Sequence, residues 1–164
     1  MRAHNLAPEI GHLLQMVDEA YEKKAWHGPN LRGSIRGLHI REAVWRPAPA
    51  RHNIWEIVVH TAYWKYIVLR RLRRGKKGSF PLTGSNWFVR PTSLTSHAWR
   101  ADLTLLEDMH RKMRAAIAEL TPKDLHTIPA GSTVSYGSLI SGVVAHDVYH
   151  AGQIQLLKRL ARQA

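Results

Sequence analysis

The chain has 164 residues, of which 24 are Lys or Arg and 12 are Asp or Glu, giving a net charge of +12, and it contains no cysteine. The length suits one domain spanning 1–164 with its own core, and the missing cysteine excludes disulfides, thiolate metal sites and a cysteine nucleophile. No apolar run approaches the roughly 18 residues that cross a bilayer. The opening MRAHNLAPEIGHLL has no uninterrupted apolar core of the signal-peptide kind. A cytoplasmic protein with no membrane partner is therefore expected.

The pattern predicts a first helix from about Leu6 to Lys24, with Ile10, Leu13, Val17 and Tyr21 on one face and Asn5 as N-cap. Residues 26–52 form a connector broken by HGP and RPAPA, with room for one or two helical turns across one end of the fold. A second helix is expected from about Ile54 to Arg74, with Asn53 and Glu56 forming a capping box. Its face Ile57, His60, Trp64, Ile67, Arg71 puts His60 in the apolar stripe and Trp64 in the core.

The tract RRLRRGKK, Arg70 to Lys77, closes this helix with six basic residues in eight. Cations there complement the helix dipole. The following GKKGS lacks the spacing of a phosphate loop and follows a helix. No helix-turn-helix or zinc-finger spacing appears, so nucleic acid is not the expected partner despite the charge. Residues 75–95 read as a crossover loop that closes over one end of the fold.

A third helix is predicted from about Ser96 to Leu120, its seam running Trp99, Leu103, Leu106, His110, Met113, Ile117. A fourth runs from about Tyr136 to Arg162 with Ser135 as N-cap. Its seam is Leu139, Val143, His146, His150, Gln153, Leu157. The implied fold class is all-α, a four-helix bundle with two long crossover connections.

His146 and His150 lie one turn apart on that seam, so one ion can reach both, and His60 on the second helix supplies a third imidazole. Three nitrogen ligands leave a position open for water or substrate. A divalent transition metal such as Zn, Ni or Fe suits imidazole. The bland alternative is a set of core histidines satisfied by neighbours, the reading adopted for His110. Glu56 is the one carboxylate to nominate as a catalytic base or as an orienter of His60, although capping explains it. Asp147 is expected to face solvent or a neighbouring helix, Tyr149 and Gln153 to serve packing, and His27 to lie on the surface.

NIWEIVVHTAYWKYIVLRRL (Asn53 to Leu72) with GVVAHDVYHAGQIQLLKRL (Gly142 to Leu160) resembles the DinB-like family of metal-binding four-helix bundles. KKAWHGPNLRGSIRGL (Lys23 to Leu38) and the WRPAP stretch extend the resemblance. It implies that His60, His146 and His150 are the metal ligands. Relatives include bacillithiol- or mycothiol-dependent S-transferases and a mycothiol-dependent maleylpyruvate isomerase. The resemblance thus implies a metalloenzyme acting on a small molecule with a low-molecular-weight thiol, and a homodimer. The alternatives are a metal-dependent hydrolase and a non-enzymatic DNA-damage-related binding module using the basic surface.

Overall fold

A computed structural model describes residues 6–75, 78–91 and 96–164. Among these residues there are six α-helices and no strand: α1 (Pro8–Tyr21), α2 (Leu31–Ile35), α3 (Ile40–Val44), α4 (Ile54–Leu72), α5 (Ser96–Ala118) and α6 (Tyr136–Ala161). A single 3-10 turn, Asp124–His126, lies between α5 and α6.

The long helices begin and end near the expected positions, and local chemistry explains the differences. Pro8 opens α1, where its missing N–H costs nothing, with Ala7 at the N-cap; the expected cap Asn5 lies outside the described residues. The helix stops at Tyr21 because the Glu22 and Lys23 N–H groups both converge on the Asp18 carbonyl. Helix α4 starts on the expected box: Asn53 Oδ1 accepts from the Glu56 N–H at 2.8 Å, and Glu56 accepts from the Asn53 N–H at 3.3 Å. It ends at Leu72 in a Schellman closure, Gly75 N–H to Arg70 O at 2.8 Å and Arg74 N–H to Arg71 O at 3.3 Å. Ser135 caps α6 through the Ser138 N–H.

Cross-contacts fix the topology. Trp55 Nε1 donates to Asp102 Oδ2 at 2.6 Å at one end of α4 and α5, while Val68 packs with Met113 and Ile117 at the other, so these helices run parallel. Arg114 reaches back to Asp18, and His110 stacks on Tyr21 with ring centroids 3.6 Å apart, so α1 opposes α5. His60 meets His146 while Tyr136 reaches Arg71 O at 3.3 Å, so α6 opposes α4. The parallel α4–α5 pair requires the connection after Leu72 to travel back along the bundle instead of closing one end.

Helix α6 has 26 residues, about 39 Å, against 14 and about 21 Å for α1. Helices α2 and α3 cover the difference. Leu31, Ile35 and Ala43 enter the core, Lys158 Nζ donates to the Ser34 and Arg36 carbonyls, and Arg162 pairs with Glu42 at 2.6 Å.

Between α4 and α6 the core is polar at one level. Lys65 is 0% exposed and Asp147 3%, and the two form an ion pair. Asp147 therefore faces a neighbouring helix and not solvent. Burial pulls the ammonium pKa down and the carboxyl pKa up, and each opposite charge resists the change. Tyr21 offers its ring to Lys65 Nζ at 5.2 Å from the centroid.

Removing one partner leaves a lone buried charge. Lys65→Ala and Asp147→Ala should each lower unfolding free energy by about 3–5 kcal/mol, and the double change Lys65→Met/Asp147→Leu should restore most of it. Urea denaturation checks this; single variants as stable as wild type would contradict the pairing.

Candidate metal centre

Helix α4 carries His60 and helix α6 carries His146 and His150, all turned into the α4–α6 groove. His60 Nε2 lies 3.0 Å from His146 Nε2, which lies 3.1 Å from His150 Nε2. One ligand nitrogen from each ring falls within 4.8 Å of the others, an arrangement that could hold a metal ion. The antiparallel packing of α4 and α6 brings the lone histidine opposite the i, i+4 pair.

The outer ring nitrogens settle which inner nitrogens carry lone pairs. His60 Nδ1 faces the Asn86 carbonyl at 2.8 Å, and a carbonyl only accepts, so the proton is on Nδ1 and Nε2 is bare. His150 Nδ1 donates to Gln153 Oε1 at 2.7 Å, which bares its Nε2 as well. No outer partner fixes the His146 tautomer: its Nδ1 has no hydrogen-bond partner among the described residues, and with the ring proton on that atom all three Nε2 lone pairs converge. Burial pushes all three imidazoles below their usual range, His146 to about 3 and His150 to about 4. Three neutral imidazoles with converging lone pairs are the donor set of a divalent cation. His146 Nδ1 is buried without a hydrogen-bond partner.

The loop after α4 builds one wall. Phe80 and Phe88 pack on Tyr63 at centroid separations of 5.3 and 5.4 Å, and Phe80 on Tyr66 at 5.3 Å. This aromatic anchor fixes the chain on both sides of Asn86. Asn86 has φ of 62°, a left-handed conformation that Asn tolerates better than most residues. That turn aims its carbonyl at His60, and its side chain accepts from Trp64 Nε1 at 3.0 Å. The next residue, Trp87, is stacked between His60 at 3.8 Å and His52 at 3.6 Å, its ring nearly parallel to both.

A pocket of about 730 Å³ opens over the cluster. Ile57, Trp64, Trp87, Leu156 and Leu157 give it apolar walls, and Arg51, Tyr149 and Gln153 add polar groups. No carboxylate lines it. Gln153 Nε2 donates to the Tyr149 hydroxyl at 2.9 Å, so the phenolic hydrogen is left to point elsewhere.

Several expectations change here. Trp64 is 36% exposed and lines the pocket instead of the core. Gln153 is not packing but the hydrogen-bond partner of His150, and Tyr149 is 63% exposed at the pocket. Glu56 does not orient His60: its carboxylate is held by Arg46 at 2.5 and 2.8 Å, by His52 at 3.1 Å and by the Asn53 N–H. His27 is exposed as expected; His110 is buried and stacked on Tyr21, but neither ring nitrogen has a hydrogen-bond partner among the described residues, so it is not satisfied by its neighbours as expected. Sequence reasoning missed Asn86, Trp87, His52 and Arg51. The GSNWF stretch held the one signal available, turn-forming residues beside bulky aromatics.

A family model described as the DinB superfamily matches residues 25–154. No curated protein and no solved structure matches the chain.

Gln153→Ala should weaken divalent-metal affinity by about 10–100-fold, because it frees the His150 ring and its tautomer, while leaving the fold intact. Competition with a chromogenic chelator measures it, and unchanged affinity would remove Gln153 from the site. Protons compete with the metal only near the low imidazole pKa values, so metal content should hold as pH falls from 8 to about 5.5 and collapse towards pH 4. Loss of metal centred near pH 6.5 would show ordinary, exposed histidines.

Proposed function

The chain belongs to the DinB superfamily, and from that premise we propose that it is a metalloenzyme in which His60, His146 and His150 hold a divalent transition metal and a low-molecular-weight thiol reacts at that site with an electrophile. The observation that carries this reading is the convergence of three Nε2 lone pairs on the floor of a pocket large enough for a small molecule. When bound, such a metal supplies a Lewis acid that makes a thiol acidic at neutral pH. The chain has no cysteine, so the thiol is a cosubstrate.

The protein's own groups then have definite tasks. Asn86 and Gln153 keep the ring protons on the outer nitrogens of His60 and His150. Trp87 and Trp64 exclude water from the reacting atoms and offer flat apolar surfaces to the electrophile. Among the described residues Arg51 makes no ion pair, and its guanidinium lines the pocket, suited to an anionic end of either substrate. The Tyr149 hydroxyl, fixed by Gln153, has its hydrogen available for the electrophile or its leaving group. The thiol loses its proton to solvent, its sulfur forms a C–S bond, and the leaving group departs with the electron pair.

Hydrolysis ranks lower because it needs a base to activate water. No carboxylate lines the pocket, and Glu56 is committed to Arg46 and His52. Asp147 is committed to Lys65.

Zinc- or nickel-loaded protein should accelerate displacement of chloride from monochlorobimane by bacillithiol, mycothiol or free cysteine. His146→Ala should abolish the acceleration. Tyr149→Phe should lower turnover by about tenfold or more at unchanged metal content. Absence of acceleration with all three thiols and both metals would sink the transferase reading.

A further inference from the structure

The end of α4 holds a second cluster that the metal site does not use. Among the described residues, five arginines are half-buried: Arg46, Arg70, Arg71, Arg90 and Arg114. Three are clamped by buried carboxylates, Arg46 by Glu56, Arg90 by Asp102 and Arg114 by Asp18. Arg70 and Arg71 have no such partner. With the exposed Arg74 they line one groove of about 420 Å³, which contains no carboxylate and is completed by Thr127, Ala130 and Tyr136. Of the nearby acids, Glu119 pairs with Arg73 at 2.7 Å; Asp124 accepts from the Thr121 N–H and hydroxyl, both at 2.7 Å, and these bonds, with a smaller effect of the Arg74 charge, hold its carboxyl below the usual range.

Arg70 and Arg71 sit in the last turn of α4, where cations complement the helix dipole as expected, but that long-range role does not use up their hydrogen-bond donors. Local bonds satisfy the Leu69, Arg70 and Arg71 carbonyls at the helix end. Arg70 O accepts from the Gly75 N–H, and Arg71 O accepts from the Arg74 N–H and the Tyr136 hydroxyl. Among the described residues the Arg70 and Arg71 guanidiniums make no hydrogen bond or ion pair, so their donors are available to a ligand. Arg74 also sits at φ of 51°, the left-handed position where glycine is the usual choice. The chain accepts that strain at the position facing the groove.

We propose that Arg70, Arg71 and Arg74 form a binding site for the phosphate group of a small organic phosphate. Three guanidiniums exceed what one carboxylate can match, whereas a phosphate offers three terminal oxygens and nearly two charges. The ligand's organic part has an apolar path. A furrow of about 300 Å³ between α4 and α6 shares Arg71 with this groove and shares Trp64 and His146 with the metal-site pocket. Ile67, Leu139 and Val143 line it.

The experiment is calorimetric titration of full-length protein, stripped of metal by chelator and dialysis, with inorganic phosphate, hexyl phosphate and a duplex oligonucleotide. Metal-free protein offers no metal–phosphate contact, so the result is independent of the metal-site reading. Hexyl phosphate should bind several-fold more tightly than inorganic phosphate. Arg70→Gln/Arg71→Gln should weaken both by about tenfold or more, while the control Arg159→Gln changes neither. The double variant should melt near its parent, because the replaced side chains make no hydrogen bond or ion pair among the described residues. Amide NMR shifts on adding hexyl phosphate should centre on 127–130 and Tyr136, which tests the site even if the variant folds poorly. Absence of phosphate binding, or binding indifferent to the two arginines, would overturn the proposal. So would far tighter binding of the duplex through the same arginines, which would make the surface a nucleic-acid face.

Discussion

Three neutral imidazoles whose lone pairs meet inside a groove are an unfavourable arrangement unless something positive sits among them. Burial denies them protons, and the Asn86 carbonyl and the Gln153 amide oxygen hold the existing protons of two rings on the far side. At 3.0–3.1 Å the inner nitrogens are too close to ignore one another, and at most one hydrogen, that of His146, is shared among them. That electrostatic demand organises the surrounding structure, from the register of two helices to the path of a loop.

The register of α4 against α6 is fixed beside the histidines. The Lys65–Asp147 pair lies at the same level of the bundle, and a slip of either helix would strand a charge in the core. The other two corners are braced similarly. Asp18 sits between Arg114 and Lys23; burial alone would raise its pKa, but the two cations hold it below the usual carboxylate range. Trp55 and Arg90 share Asp102 at the opposite end. Buried ionic contacts thus set helix positions, and the apolar clusters fill the space between them.

Helices were legible in the sequence because their signals are local. The Asn53–Glu56 box, the Ser135 cap and the spaced seams of α5 and α6 are read within a few residues of one another. The histidine triad was legible for the same reason on α6, and it gained its third member from the stripe on α4. What could not be read depends on contacts distant in sequence. Asn86 reaches His60 across 26 positions, by way of an aromatic anchor whose members look like ordinary loop residues. Trp64 keeps helical spacing with the core, yet it borders a pocket, with its indole N–H held by the distant Asn86 side chain. Gln153 continues the α6 seam, and only the His150 ring orientation turned it from packing into support. The basic tract at the end of α4 was assigned to the helix dipole. Arg70 and Arg71 do lie in that last turn, and they also line a groove whose far wall, residues 127–130 and Tyr136, is more than 50 positions away in sequence.

The central claim is that the three Nε2 atoms share one cation. Anomalous diffraction at the metal's absorption edge, from crystals of the metal-loaded protein, tests it directly. The account predicts a single strong peak within bonding distance of Nε2 of His60, His146 and His150, about 2.0–2.1 Å for zinc. A metal peak elsewhere on the surface, with the three rings hydrogen-bonded through water or turned apart, would contradict it.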